Sequence, residues 1–381
     1  MLKIMVSAGE ISGDMHAAAV LKKVKEKRPE VEIFGMGSTA LKDLGAEILI
    51  DPTEISTIGY IEAFKNIRQH YKHLKKMKKL LKERKPDLVF LVDYSAFNMK
   101  LAKACSKEGI KAVNYFPPSA WVYNKRRAGK MAAYGTHIAA VFPMERDVYR
   151  EAGADVTFVG HPLLDIVKAE EDAAAIKKDF GIKEKKKVIG LFPGSRRGEI
   201  EAMLPEFLKA AEKLDQNYSD LEFVLAAAEG ISDDFLDQFI SKSKLELRVV
   251  RENNYRLMEA AHFLITASGT TSLEAAILTT PHIVCYKAAL TTYLLAKYVF
   301  KLKFVGLPNI IADKEIVPEL LQKEMNAGNI YKTAEEWLDY KALLKDIENK
   351  LELVREKLGG GGAVKKTAEL LREQGGLKRD G

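Results

Sequence analysis

Apolar runs of about five residues recur along this chain, each followed by a longer segment of helical period, and this alternation restricts the fold more than any other feature. Runs that are apolar at successive positions suit strands buried on both faces, which means parallel sheets covered by helices. The first half places such strands at Leu2–Val6, Val31–Phe34, Leu88–Val92, Ala112–Tyr115, Ile138–Val141 and Thr157–Val159. The second half places them at Val188–Phe192, Glu222–Leu225, Leu247–Val250, Phe263–Ile265 and Ile283–Tyr286. The expected architecture is α/β, with two doubly wound, Rossmann-like domains and a cleft between them. Gly160-His161-Pro162 and the charged stretch Lys168–Lys187 carry the boundary, so 1–165 reads as the N-terminal domain and 166–335 as the C-terminal one. Residues 336–381 are helical in pattern around Gly359–Gly362 and able to pack back on the N-terminal domain.

At 381 residues the chain exceeds one ordinary core and suits two. Cys105 and Cys285 stand far apart without CxxC spacing, which argues against a disulfide framework or a metal cluster and fits a reducing cytoplasm. The N-terminus, MLKIMVSAGE, reads as a short strand entering a loop rather than as a signal peptide, and no segment has the apolar length of a membrane span. A formal net charge of +7 favours an anionic partner: phosphate, nucleic acid or an acidic lipid surface. Nucleic acid is the weakest of these, because no strand interleaves aromatic and basic residues.

Candidate sites cluster where strands end. The run Leu88–Val92 stops on Asp93, ahead of Tyr94-Ser95-Ala96-Phe97-Asn98. In open α/β sheets ligands bind at that carboxyl edge, so Asp93 reads either as a cap of the next turn or as a functional carboxylate. The first loop, Ser7-Ala8-Gly9-Glu10-Ile11-Ser12-Gly13-Asp14, lacks the dinucleotide GxGxxG spacing. Its acidic and hydroxyl groups suit a sugar, and helix capping by Ser12 and Asp14 is an equal reading. The second half opens with opposite chemistry, Gly194-Ser195-Arg196-Arg197-Gly198-Glu199, in which a helix N-terminus and two arginines suit a diphosphate; the alternative is a capped helix with solvated arginines. Ser268-Gly269-Thr270 lies at a neighbouring strand end, with Glu274 one helical turn further, where a carboxylate accepts both hydrogens of a ribose diol.

Taken in order, SAGEISGD, LVDYSAFN, PPSAW, PGSRRGEI, ASGTTSLEAA and VGLPNIIADKEIVPELLQ resemble the bacterial lipid-A-disaccharide synthase family, from residue 3 to about residue 325. The resemblance implies a metal-independent inverting glycosyltransferase of GT-B type, without a cofactor. It implies joining of UDP-2,3-diacylglucosamine to 2,3-diacylglucosamine 1-phosphate (lipid X), giving the lipid A disaccharide 1-phosphate and UDP. By the same resemblance Gly194, Ser195, Arg196, Glu199, Ser268, Gly269, Thr270, Glu274, Asn309 and Gln322 hold the donor. Ser7, Gly9, Glu10, Asp14, Asn98, Ser119 and Trp121 then receive the acceptor. The family implies a cytoplasmic protein held peripherally at the inner membrane, with a homodimer left open. Two departures stand out: VDYSAFN replaces the family's IDAPDFN, so the second acidic position is Ala96, and Asn124 replaces an arginine ahead of Lys125-Arg126-Arg127.

With Ala96 in that loop, Asp93 is its only carboxylate and the expected general base, taking the proton of the acceptor 6-hydroxyl. Arg196 and the helix after Ser195 are expected to stabilise charge growing on the leaving diphosphate. His16 and His161 are the alternative bases. The rival functions are another GT-B UDP-N-acetylglucosamine transferase or 2-epimerase, and a nucleotide-sugar-binding regulator without turnover. The loops SAGEISGD and VDYSAFN favour the lipid A enzyme over the transferase and the epimerase, whereas the missing second acid at Ala96 gives slight support to the regulator. Finally, Ile61, Phe64, Ile67, Tyr71, Leu74, Met77 and Leu81 form one helical stripe among lysines. That helix is either packed on its sheet or attracted to anionic lipid, and Tyr293–Lys301 is a second aromatic and basic segment.

Overall fold

The computed structural model describes residues 2–52, 60–120, 125–168, 172–287 and 303–376. Trp121, Asn124 and Tyr293–Lys301 lie outside the described residues, as do the side chains of Ile61, Phe64 and Ile67. The chain forms two compact units, one from residues up to Asp165 together with those from Leu358 onward, the other Ile166–Lys357.

The first unit holds a seven-stranded, wholly parallel sheet in the order β3-β2-β1-β4-β5-β6-β7. Its strands are β1 (Lys3–Ala8), β2 (Glu32–Met36), β3 (Glu47–Ile50), β4 (Leu88–Val92), β5 (Lys111–Tyr115), β6 (His137–Ala140) and β7 (Val156–Phe158). All five residues of β4 are buried, as a strand covered on both faces requires. On one face lie α1 (Ile11–Lys27) and the late helix Ala363–Gln374, whose Val20, Leu21, Leu370 and Leu371 share a core with Ile4 and Phe90. On the other lie α3 (Tyr60–Arg84) and α4 (Ser95–Lys107), which bury Leu74, Met77, Leu81, Leu101 and Cys105 against Met5, Val89 and Leu91. A short α2 (Thr39–Asp43) follows β2. The strand order reverses between β1 and β4, where Ser7 pairs with Leu91 and Ala8 with Val92. Such a reversal leaves a crevice at the strand ends, the usual ligand position of the fold.

The second unit repeats the plan with six parallel strands in the order β10-β9-β8-β11-β12-β13. They are β8 (Lys187–Phe192), β9 (Leu221–Ala226), β10 (Leu247–Val250), β11 (Ala261–Ala267), β12 (His282–Tyr286) and β13 (Glu319–Leu321), and the order reverses between β8 and β11.

The end of the chain departs from a single C-terminal segment starting at residue 336. The helix Ala327–Asp339 sets Trp337 edge-on to Phe263 at 5.4 Å, and Glu206 accepts the Ala327 N–H at 2.8 Å. It and Lys341–Lys357 therefore belong to the second unit. Only Ala363–Gln374 joins the first, because Leu370 and Leu371 complete its core. The chain re-enters where the Leu358 carbonyl accepts the His161 N–H at 2.9 Å and Asp165 accepts the Val364 N–H at 3.3 Å.

Candidate functional site

In the first unit, β4 runs into two consecutive left-handed residues, Asp93 at φ 50° and Tyr94 at φ 48°. Each such residue costs about 1–3 kcal/mol, so the turn persists only where neighbours hold it. Asn98, fully buried, does so: its Nδ2 donates to the Asp93 carbonyl at 2.7 Å and to the Val92 carbonyl at 3.2 Å, while its Oδ1 accepts the Ser7 hydroxyl at 2.7 Å. The ring of Tyr94 lies over Gly9, where a Cβ would stand 2.2 Å from it, so only glycine admits the ring. The Tyr94 hydroxyl also meets His70 Nδ1.

Burial raises the Asp93 carboxyl above its ordinary range, against a backbone N–H of Tyr94 and the nearby His16, both of which favour the ionised form. Glu10 at the rim is raised as well, first by burial of its carboxyl end and then by the charge of Asp93. His16 is lowered by burial, with Asp93 opposing. The site therefore gathers two carboxylic groups and an imidazole at the switch point of the sheet. A carboxylate raised by burial is a better proton acceptor than a solvated one. His161 is the weaker candidate base, since burial pushes it down to about 3, its Nδ1 accepts the Leu163 N–H at 3.2 Å, and its ring packs 4.8 Å from Phe142.

In the second unit a cavity of about 310 Å³ opens at the ends of β8 and β11, and Gly194, Ser195, Arg196, Glu199, Ser268, Gly269 and Thr270 all line it. Gly194 (φ 105°) makes the turn into the helix Arg197–Asn217, and Gly269 (φ 154°) precedes the helix Thr270–Ile277. Two helix N-termini thus face one cavity, a good anion cradle. The carboxylate of Glu199 currently takes the donors such an anion would use: it accepts the Ser195 N–H at 3.3 Å and the Arg196 guanidinium at 2.7 Å. Asn254 also lines this cavity, with an Oδ1 that is buried and has no hydrogen-bond partner among the described residues. A buried, unpartnered acceptor of this kind marks a place for a ligand donor. The sequence signal was Asn253-Asn254 just past β10, at the same strand edge.

Several residues expected to touch ligand are instead turned into the protein. Ser7 and Asn98 are fully buried and satisfy one another. Asp14 is 2% exposed and caps α2, accepting from the N–H groups of Ser38 at 2.7 Å and Ala40 at 2.8 Å. Asn309, fully buried, bridges Ile316 N, Val317 N, the Val317 carbonyl and Glu319, and Glu319 in turn accepts the Val305 and Gly306 N–H groups. In this structure the polar atoms of these four are taken by protein partners, so they brace the fold. Glu274 does not line the cavity; burial raises its carboxyl, and Tyr255 donates to it at 3.2 Å. Gln322 follows β13 with φ 54° and donates its N–H to the Tyr286 carbonyl at 2.9 Å. Ser119 is half-buried past β5, in a loop held by the Tyr149 hydroxyl on the Pro118 carbonyl at 2.8 Å.

Two doubly wound parallel units, one ending a strand on a carboxylate and the other presenting helix N-termini to a cavity, give a fold of GT-B type. Acinetobacter baumannii MurG matches with a TM-score of 0.62 at 15% identity, covering 97% of this chain and 99% of that one. The UDP-GlcNAc 2-epimerase of Neisseria meningitidis, solved with UDP-GlcNAc, matches with 0.66 at 14% identity, covering 98% and 100%. The chain belongs to the lipid-A-disaccharide synthetase family, whose model it matches over residues 4–371. The lipid-A-disaccharide synthase of Trichlorobacter lovleyi is 35% identical over 373 residues, 97% of this chain and 96% of that protein. That of Geobacter metallireducens is 34% identical over 377 residues, covering 99% and 98%. The likeness to the epimerase is one of fold; the full-length sequence match favours lipid A disaccharide synthesis over the rival functions.

Proposed function

We propose that the chain transfers 2,3-diacylglucosamine from UDP to the 6-hydroxyl of 2,3-diacylglucosamine 1-phosphate, with inversion. The acceptor is assigned to the first unit and the UDP-sugar to the second. Asp93 takes the hydroxyl proton as the oxygen attacks the anomeric carbon. UDP departs toward the N–H groups after Gly194 and toward Arg196, which turns from Glu199 to the diphosphate and stabilises the charge growing there. Ser268, Gly269 and Thr270 complete that cradle. Ser7, Asn98 and Asp14 act by holding the acceptor loops, and Glu10 by contact with the acceptor sugar.

The observation that carries this reading is the strained, half-buried placement of Asp93 at the sheet's switch point. A merely structural cap has no need of two left-handed residues or of desolvation. The protein is further proposed to work at the cytoplasmic face of the inner membrane, where its acylated substrates reside. None of the helices among the described residues is long and apolar enough to cross a membrane, and α3 exposes Lys72, Lys75, Lys76, Lys79 and Lys82 for contact with anionic lipid.

The test is incubation of the purified protein with both diacylglucosamine substrates, following UDP release and the disaccharide by mass. UDP release that depends on both substrates is the expected result. Conversion of a UDP-sugar alone into its epimer, or binding without turnover, would overturn the assignment.

A further inference from the structure

Beside Asp93 the first unit contains a second cavity, of about 460 Å³. Tyr71 and Leu74 of α3 and Tyr94, Ala96 and Phe97 at the start of α4 form its walls, with Asp93 also on its lining. The volume lies within the roughly 300–1,000 Å³ of small-molecule sites. Its chemistry differs from that of the anion cavity: most of its surface is aromatic and aliphatic, with Glu10, His70 and Ser95 as polar members beside Asp93. Position 96 sharpens the contrast, since Ala96 presents a methyl group to this cavity.

Lys100 of α4 lies on this cavity and on a neighbouring recess of about 350 Å³ lined by Lys78, Lys82, Lys103 and Lys107. An apolar slot whose edge continues into a lysine-lined recess suits an amphiphile, with hydrocarbon in the slot and anionic surroundings at the lysines.

We propose that this cavity holds one acyl chain of the acceptor, and that Ala96 sets the chain length it accepts. The inference rests on the function proposed above. An acceptor whose hydroxyl reaches Asp93 carries its acyl chains on the same sugar ring, so a chain leaving the ring there meets this cavity. Hydrocarbon burial against Leu74, Phe97 and Tyr71 then helps bind the acceptor, and a side chain larger than alanine at position 96 shortens the slot.

The experiment measures kcat/KM over a series of acceptors differing only in acyl length, for the parent, Ala96→Leu, Ala96→Trp and Tyr71→Ala. Residues 71 and 96 are exposed, so these changes spare the core. One methylene too many in an apolar pocket costs about 10–200-fold. Ala96→Trp is therefore expected to lower kcat/KM for the longest acceptor at least tenfold, with Ala96→Leu intermediate, the shortest acceptor little changed, and UDP affinity and melting unaltered. Tyr71→Ala is expected to raise KM most for long chains. The same factor at every chain length in a parent that turns over would overturn this proposal alone. So would a loss that follows the lipid of added vesicles rather than acceptor length, which would make the cavity a bilayer-lipid site. A parent that releases no UDP from the substrate pair would overturn the proposed function and this inference with it.

Discussion

Asn98 Nδ2 donates to the carbonyl of Asp93 at 2.7 Å, tying the first full turn of α4 to the last peptide of β4. Because Asn98 also receives the Ser7 hydroxyl at 2.7 Å, the ends of β1 and β4 are locked as one piece. The backbone bearing Asp93 is thus set by buried groups, while its carboxyl is left to act. Two substitutions separate those roles.

Asp93→Asn is expected to keep melting and UDP affinity and to lower turnover by about two to four orders of magnitude, the usual worth of a general base. Asn98→Ala is expected to lower melting temperature together with turnover, since it leaves the left-handed pair unbraced. The parent's kcat/KM should rise with pH through an apparent pKa above the ordinary aspartate value of about 3.9, as burial of Asp93 requires. Residual activity of Asp93→Asn should lack that limb. Normal turnover in a normally melting Asp93→Asn protein would return the residue to a structural cap.

Arg196→Ala is expected to weaken UDP-sugar binding and slow turnover together. Its guanidinium is 82% exposed and held by Glu199 among the described residues, so its removal disturbs no core. A charge-assisted bond to the diphosphate is worth about 1.5–3 kcal/mol, or about one to two orders of magnitude in kcat/KM. Steady-state kinetics with varied donor would decide it; unchanged constants would remove Arg196 from the donor site.

Vesicles containing anionic lipid should bind the protein, and added salt should release it. Charges near a membrane contribute about 1 kcal/mol each and are screened within about a Debye length. Co-sedimentation with neutral and anionic vesicles measures this, and replacing Lys72, Lys75 and Lys79 by Gln should weaken it. Equal binding to both vesicle types would argue against the lysine face.

Glu145 gives a stability prediction away from the site. It caps the helix Pro143–Glu151, accepting the N–H groups of Val141 at 3.0 Å and Phe142 at 3.1 Å, and burial pushes its carboxyl up to about 8. The folded state then keeps a proton that the unfolded chain gives up near its ordinary value, so stability is lost as pH rises toward 8. Above about pH 7 the histidines are largely neutral in both states and add little. The first unit of the parent should melt lower at pH 8 than at pH 7, and Glu145→Gln, which retains an acceptor, should flatten that slope. Calorimetry on both proteins checks the difference.

Much of this could be read before any coordinates. Leu88–Val92 appears as a strand with the bounds its apolar run implies, and Asp93 stands at its end because such a run stops where burial stops. β3 and β13 escaped because they are edge strands of four and three residues, half-exposed, with too little apolar continuity to register. Ser7, Asp14, Asn98 and Asn309 carry the right chemistry for ligand contact, but protein partners take it up: backbone N–H groups 24 or more positions away for Asp14, the Asn98 side chain 91 positions away for Ser7, and nearby loop backbone for Asn98 and Asn309. Spacing along the chain cannot show that. Asn254 was missed for the opposite reason: an asparagine at the start of a helix is ordinary, and the orphaned oxygen that sets it apart shows only in the fold.

The return of Ala363–Gln374 to the first unit bears on how the chain is made. Leu370 and Leu371 belong to the core formed by Leu2, Ile4 and Val24, yet they leave the ribosome long after Asp165 has completed the rest of that unit. At about 5–20 residues per second, the interval is roughly 10–40 s. Throughout it the nascent first unit presents an uncovered apolar face, and a message truncated just before this helix would leave that face open for good.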